Sequence, residues 1–119
     1  MIAAKASERL WEIDGPVIVI DPGHGGENLG TIENGFLEKE MTLITARAMY
    51  EELLKYDNVS VYLTREEDKE LSLKERAQYA ENVDADFLFS VHFNASAEHQ
   101  VFGAEVWIPA HTPYHAYAY

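Results

Sequence analysis

Three side chains in this sequence have the types and settings needed to hold a metal ion. His24 stands in Asp21-Pro22-Gly23-His24-Gly25-Gly26, directly after the apolar run Val17-Ile18-Val19-Ile20, so its imidazole rises from a glycine-lined turn with little to obstruct a ligand. His92 ends a second apolar run, Phe89-Ser90-Val91, and Glu38 opens a stretch with helical periodicity. Two imidazoles and a carboxylate form a common ligand set for catalytic zinc, with one coordination position left open for water. Singly, each has an ordinary role: His24 as a locally bonded loop residue, Glu38 as an acid favoured at a helix start, His92 as a satisfied core histidine. Their conjunction points to a zinc hydrolase. The same glycines could cradle a phosphate, but no Walker lysine-serine pair follows and the Gly-x-Gly-x-x-Gly spacing is not met.

The elements around them explain how three residues so far apart could meet. Val17 to Ile20 is continuously apolar and β-branched, the pattern of a strand buried on both faces of a parallel sheet. After the glycine loop and an Asn34-Gly35 turn signal, a helix is predicted from about Leu37 to Lys55, with Leu37, Met41, Ile44 and Ala48 as its apolar stripe and Leu43, Ala46, Tyr50 and Leu53 widening it. Val59 to Leu63 alternates as a second strand. Ser72-Leu73-Lys74-Glu75 is a capping box, which starts a second helix over about Leu73 to Asn82 with Leu73, Ala77 and Ala80 inward. Asp86 to Phe93 is the third strand, and Ala104 to Ile108 is expected to be a fourth. The order predicts an α/β fold with a mixed, largely parallel sheet flanked by helices. In such sheets ligands bind at the carboxyl ends of the strands, where the crossovers diverge. His24, Glu38 and His92 all belong to that edge.

Composition narrows the field further. At 119 residues the chain is one domain, and 47% hydrophobic residues argue against disorder. Nine Lys+Arg against 21 Asp+Glu give a net charge of -12, which repels nucleic acid and anionic membranes alike. No cysteine is present, so any zinc must be held by His, Glu and Asp. No run approaches the roughly 18 apolar residues of a membrane span, and no signal-peptide core opens the chain.

The residues also carry a resemblance. Asp21-Pro22-Gly23-His24-Gly25-Gly26, Glu38-Lys39 with Leu43, Leu63-Thr64-Arg65, Leu73 with Arg76 and Ala80, Ala85-Asp86, and Ser90-Val91-His92-Phe93-Asn94-Ala95 follow one another in order. As a set, from about Val17 to Ile108, they resemble the zinc-dependent N-acetylmuramoyl-L-alanine amidases of the amidase_3 family. That resemblance implies a hydrolase-like α/β fold, one Zn2+, and cleavage of the peptidoglycan amide between N-acetylmuramic acid and L-alanine, with peptidoglycan as partner. It places the zinc ligands on His24, Glu38 and His92. Glu40 competes locally with Glu38, but the family's Glu-Lys-x-x-x-Leu pattern falls on Glu38, Lys39 and Leu43. Asp21 is a candidate for fixing a histidine tautomer, and Asn94 for orienting a ligand or substrate; both are also ordinary turn residues. Arg65 and Arg76 match the pattern but are left outside the catalytic set as partners for the excess carboxylates.

The departure lies towards the C-terminus. The family places a general acid/base glutamate on a late strand, whereas no glutamate follows Glu105 here, and Gly103-Ala104-Glu105-Val106-Trp107 resembles an earlier strand. The expected organisation is therefore an N-terminal extension over residues 1–16 and an amidase_3-like catalytic domain over 17–119 whose C-terminal part is missing. A zinc-bound, catalytically silent module that binds wall fragments or regulates an active amidase is the alternative. His111 and His115 have helical i, i+4 spacing, but Pro113 between them disfavours a regular helix. The substrate implies a location in the cell wall, the periplasm or outside the cell.

Overall fold

The structure, a computed structural model, describes residues 2–4 and 15–108. Most of the expected 1–16 extension and the His111/His115 pair lie outside the described residues. The chain order is β1 (Ile2–Ala4), β2 (Val17–Pro22), β3 (Ile32–Glu33), β4 (Phe36–Leu37), α1 (Glu38–Leu53), β5 (Ser60–Leu63), α2 (Leu73–Asn82) and β6 (Phe87–Val91).

β2 occupies the middle of the main sheet because its residues are apolar in both directions. The strand order is β1-β6-β2-β5, with β2 parallel to both β5 and β6 and β1 antiparallel on the outer side of β6. Successive side chains of a strand point to opposite faces, and the core divides accordingly. Ile18 and Ile20 join Val61, Leu63, Phe89 and Val91 beneath Ala46, Met49, Tyr50 and Leu53 of α1. Val17, Val19 and Leu88 pack on the other face against Tyr79, Ala80, Val83 and Ala85, at and just beyond α2. One crossover therefore runs over each face, and the crevice between β2 and its neighbours opens at their carboxyl ends. The parallel α/β arrangement read from the sequence is the one observed.

Three local expectations need correction. Ala104 to Ile108 forms no strand and is exposed; the free edge of β6 is taken instead by β1, through Ile2↔Phe89, Ala3↔Leu88 and Ala4↔Phe87. In α1 the inward face is rotated about one residue from the apolar stripe, so that Glu38, Lys39, Thr42 and Ala46 are buried while Ile44 and Ala48 face outward. The rotation is fixed by polar contacts, because Thr42 Oγ1 lies 2.8 Å from the Gly23 carbonyl and Glu38 must turn towards the sheet edge. In α2, likewise, Leu73 and Ala77 are exposed and Arg76 is the buried residue, drawn in by Asp21.

The helix starts differ in a way the sequence explains. Ser72 accepts a bond from the Glu75 N–H while the Glu75 carboxylate accepts from the Ser72 N–H, completing the predicted capping box. Ser72→Ala should cost about 1 kcal/mol, measurable as a lower urea midpoint with unchanged m-value. Leu37 cannot cap α1 in that way, and backbone carbonyls substitute: Glu38 N–H donates to Thr31 O and Lys39 N–H to Leu29 O.

Candidate metal centre

The Asn34-Gly35 pair carries positive φ at both positions, 50° and 80°, as a two-residue hairpin turn of the primed type requires. The resulting β3–β4 hairpin pairs Ile32 with Leu37, so the next residues out, Thr31 and Glu38, face one another. Thr31 donates to Glu38 Oε2 from both its hydroxyl, at 2.6 Å, and its backbone N–H, at 2.8 Å. The Phe93 N–H donates to Glu38 Oε1 at 2.9 Å. Burial works to raise the Glu38 carboxyl, but these three hydrogen bonds and the nearby His24 outweigh it and hold the group at about 2.

Glu38 is therefore an ionised carboxylate aimed at two histidines. His24 Nε2 lies 3.0 Å from Glu38 Oε1, and His92 Nδ1 lies 3.3 Å from both Glu38 Oε1 and His24 Nε2. The two rings meet edge to face, 86° apart. All three ligand atoms fall within 4.8 Å of one another. Such a concentration of lone pairs is repulsive without a proton or a cation among them. Two imidazole nitrogens and a carboxylate oxygen are the donor types that divalent zinc-like ions accept, so the residues fit a metal ion.

Two glycines make room for this arrangement. A Cβ on Gly23 would stand 2.3 Å from His92 Cε1, and one on Gly30 would stand 2.6 Å from both Glu38 Oε2 and His24 Cδ2. His24 itself adopts a left-handed φ of 61°, which a non-glycine residue adopts only when its surroundings hold it there. Two buried arginines provide that hold. Arg76 Nη2 donates to His24 O at 2.8 Å and Nη1 to Pro22 O at 2.7 Å, while Arg65 Nη2 donates to Gly23 O at 3.0 Å and to Lys39 O at 2.9 Å. Arg65 thereby ties the turn carrying His24 to the helix carrying Glu38.

The expected secondary residues fall elsewhere. Asp21 touches neither ring: it accepts from Arg76 and Thr64 on Oδ1 and from Ser90 on Oδ2, pinning the ends of β2, β5 and β6 together below the site. The partner on His24 Nδ1 is instead Asn28 Oδ1, at 2.9 Å. Asn94 is exposed and donates to Glu105 at 2.6 Å. Thr31 and Asn28 are neighbours of the trio that the sequence reading passed over, although the hairpin register implied by Asn34-Gly35 would have brought out Thr31. Of the two arginines read as carboxylate partners, Arg76 does pair with Asp21, and both also hold the carbonyls of the His24 turn. Two clefts flank the trio. One of about 260 Å³ is lined by His24, Asn28, Glu70, Ser72, Arg76 and His92 among others, and one of about 240 Å³ by Thr31, Phe36, Glu38, Met41, Phe93 and Asn94 among others. A larger hollow of about 560 Å³ beside Arg65, Lys69 and Tyr79 contains none of the three.

The depressed Glu38 value has a consequence for acid stability. Because the folded value, about 2, lies below the ordinary 4.5, the ionised group stabilises the fold. That contribution is complete above about 4.5 and is lost as the pH falls through about 2. Without added metal, urea midpoints should drop more steeply with acidification in the wild type than in Glu38→Gln; parallel acid limbs would contradict the assignment.

An open α/β sheet thus gathers two imidazoles and a carboxylate at its switch point, a group that could hold a metal ion. The sequence pattern of the Amidase_3 family, described as N-acetylmuramoyl-L-alanine amidase, matches residues 18–119, and the chain belongs to that family. It is 48% identical over 79 residues to the N-acetylmuramoyl-L-alanine amidase CwlM of Bacillus licheniformis, covering 66% of this chain and 31% of that protein. It is 39% identical over 107 residues to LytC of Bacillus subtilis, covering 89% of this chain and 21% of LytC. Among solved structures, the catalytic domain of CwlV from Bacillus (Paenibacillus) polymyxa aligns with a TM-score of 0.67 at 36% identity, over 69% of this chain and 47% of that one. An amidase from Clostridium difficile 630 aligns with a TM-score of 0.68 at 37% identity, over 71% and 46%. The chain thus spans less than a third of those two curated relatives and under half of those two solved chains.

Proposed function

We propose that this chain carries the metal-holding part of a zinc-dependent N-acetylmuramoyl-L-alanine amidase, acting on the amide between the lactyl group of N-acetylmuramic acid and the first L-alanine of the peptidoglycan stem. The observation that carries the reading is the convergence of His24 Nε2, Glu38 Oε1 and His92 Nδ1 in a chain of this family. When bound, zinc supplies Lewis acidity to the scissile carbonyl and to water. The chain's own residues prepare that site. Thr31 and the Phe93 N–H keep Glu38 ionised and oriented, and the two clefts leave room for a substrate to extend on both sides of the trio. The net charge of -12 disfavours polyanionic substrates and suits a divalent cation. No helix among the described residues is long and apolar enough to cross a membrane, and the substrate assigns the work to the wall, the periplasm or the cell exterior.

The test is to load the chain with zinc and supply N-acetylmuramoyl-L-alanyl-D-isoglutamine. The expected result is a newly freed L-alanine amine, seen by mass, lost on chelation and restored by zinc. Binding of the muramyl peptide without cleavage would put a silent wall-binding module in its place. A folded, zinc-loaded chain that neither binds nor cleaves would overturn both.

A further inference from the structure

We propose that Asn28 is the positioning residue of the metal centre: it holds His24 as the Nδ1–H tautomer and so keeps Nε2 free to bind the ion. The inference rests on the metal reading above but has its own geometry. A neutral imidazole carries one donor and one acceptor, so the partner on Nδ1 decides what Nε2 can do. Asn28 Oδ1 lies 2.9 Å from His24 Nδ1 and also receives the Gly30 N–H at 3.4 Å. An atom that accepts from a backbone N–H is the amide oxygen, which can only accept from the ring as well. Asn28 therefore fixes a proton on Nδ1, and Nε2, 3.0 Å from Glu38 Oε1, is the nitrogen left to share an ion with that carboxylate.

The surrounding backbone is built to keep this contact. Residues 25 and 28 exchange two hydrogen bonds, Gly25 N–H to Asn28 O at 2.9 Å and Asn28 N–H to Gly25 O at 3.1 Å. This small bridge closes a loop that sets the amide opposite the ring, on a histidine already held at a left-handed φ of 61°. Asp21, the acid the sequence suggested for this task, is fully engaged with Arg76, Thr64 and Ser90. A neutral amide orients the ring without adding a negative charge next to an ionised Glu38. A carboxylate in its place should orient the ring and also make it more basic.

The test compares wild type, Asn28→Ala and Asn28→Asp by two readouts. The His24 tautomer is read from long-range imidazole 1H–15N correlations in the metal-free chain, with His92→Ala assisting assignment. Zinc affinity is read by competition with a chromogenic chelator. The expected result is Nδ1–H at His24 in the wild type and in Asn28→Asp. Asn28→Ala should lose that preference and bind zinc about 10–100-fold more weakly, with affinity regained in Asn28→Asp. An Nε2–H tautomer in the wild type would overturn the proposal with no variant needed, as would Asn28→Ala retaining both tautomer and affinity. Weaker zinc binding with an unchanged tautomer would mean that Asn28 only packs the loop, which also overturns it. A wild-type Nδ1–H tautomer that depends on Asn28, in a folded chain that takes up no zinc, would leave the role of Asn28 standing and bring down the metal reading instead.

Discussion

On the proposed zinc reading, His92→Ala should abolish tight zinc binding by the chain while leaving it folded. His92 is exposed at the end of β6, so its ring adds little to the core and its loss should barely move the thermal midpoint of the metal-free protein. It supplies one of the three converging atoms, however, and its Nδ1 sits 3.3 Å from each of the other two. Loss of an outer partner of a ligand typically costs about 10–100-fold in affinity; loss of the ligand itself should exceed that range. Chelator competition, with stoichiometry from metal analysis, reads the difference. Equal zinc uptake by wild type and variant would place the ion elsewhere and remove the centre described above.

The largest effect on stability is expected from Arg76→Met. Methionine can keep the apolar stem of the side chain but not the guanidinium, which is buried and paired with a buried Asp21 at 2.7 Å. Removing one member of a buried pair strands the other, at a cost of about 3–5 kcal/mol. In a domain of this size that corresponds to a fall in Tm of about 12 °C or more. The hydroxyls of Thr64 and Ser90 remain on Asp21 and will offset a part of it. The same guanidinium holds the carbonyls of Pro22 and His24, so zinc affinity should fall along with stability. Arg76→Lys should recover some of the charge pairing but not the fork that reaches both Asp21 and His24 O, because an ammonium is a point donor. A thermal midpoint within a degree or two of wild type for Arg76→Met would show that the pair contributes nothing net.

Much of this architecture was legible in the sequence because it rests on short-range patterns. The unbroken run Val17 to Ile20 could only be a strand covered on both faces, and the Ser72–Glu75 box marked the start of α2. With the crossovers placed, topology alone sent His24, Glu38 and His92 to one edge of the sheet, and the structure brings them within bonding reach of one ion. The helix faces were not legible in the same way. Apolar periodicity favoured Ile44 and Leu73 as inward residues, yet both are exposed, at 63% and 85%. Each helix is turned by buried polar residues instead, Glu38 and Thr42 in α1 and Arg76 in α2. Hydropathy cannot register a charged side chain that is buried because a distant partner satisfies it.

The sequence by itself determined the order of the elements, the parallel core and the sheet edge where the three side chains converge, since each follows from local periodicity, turn chemistry and the rule of the switch point. The choice of Glu38 over Glu40 rested on the family pattern. Only the tertiary structure decided how those side chains are held. Asp21, near the end of β2, and Asn28, in the loop that follows, lie seven residues apart, and nothing local says which of them faces the His24 ring. Arg76, brought from 55 residues away, takes Asp21 and leaves the ring to Asn28. The same long-range closure gave β6 its outer neighbour, where Ile2–Ala4 pairs and Ala104–Ile108 does not. Strand edges and buried charges are satisfied by whatever the whole chain brings within reach, and that is a property of the fold rather than of any window of sequence.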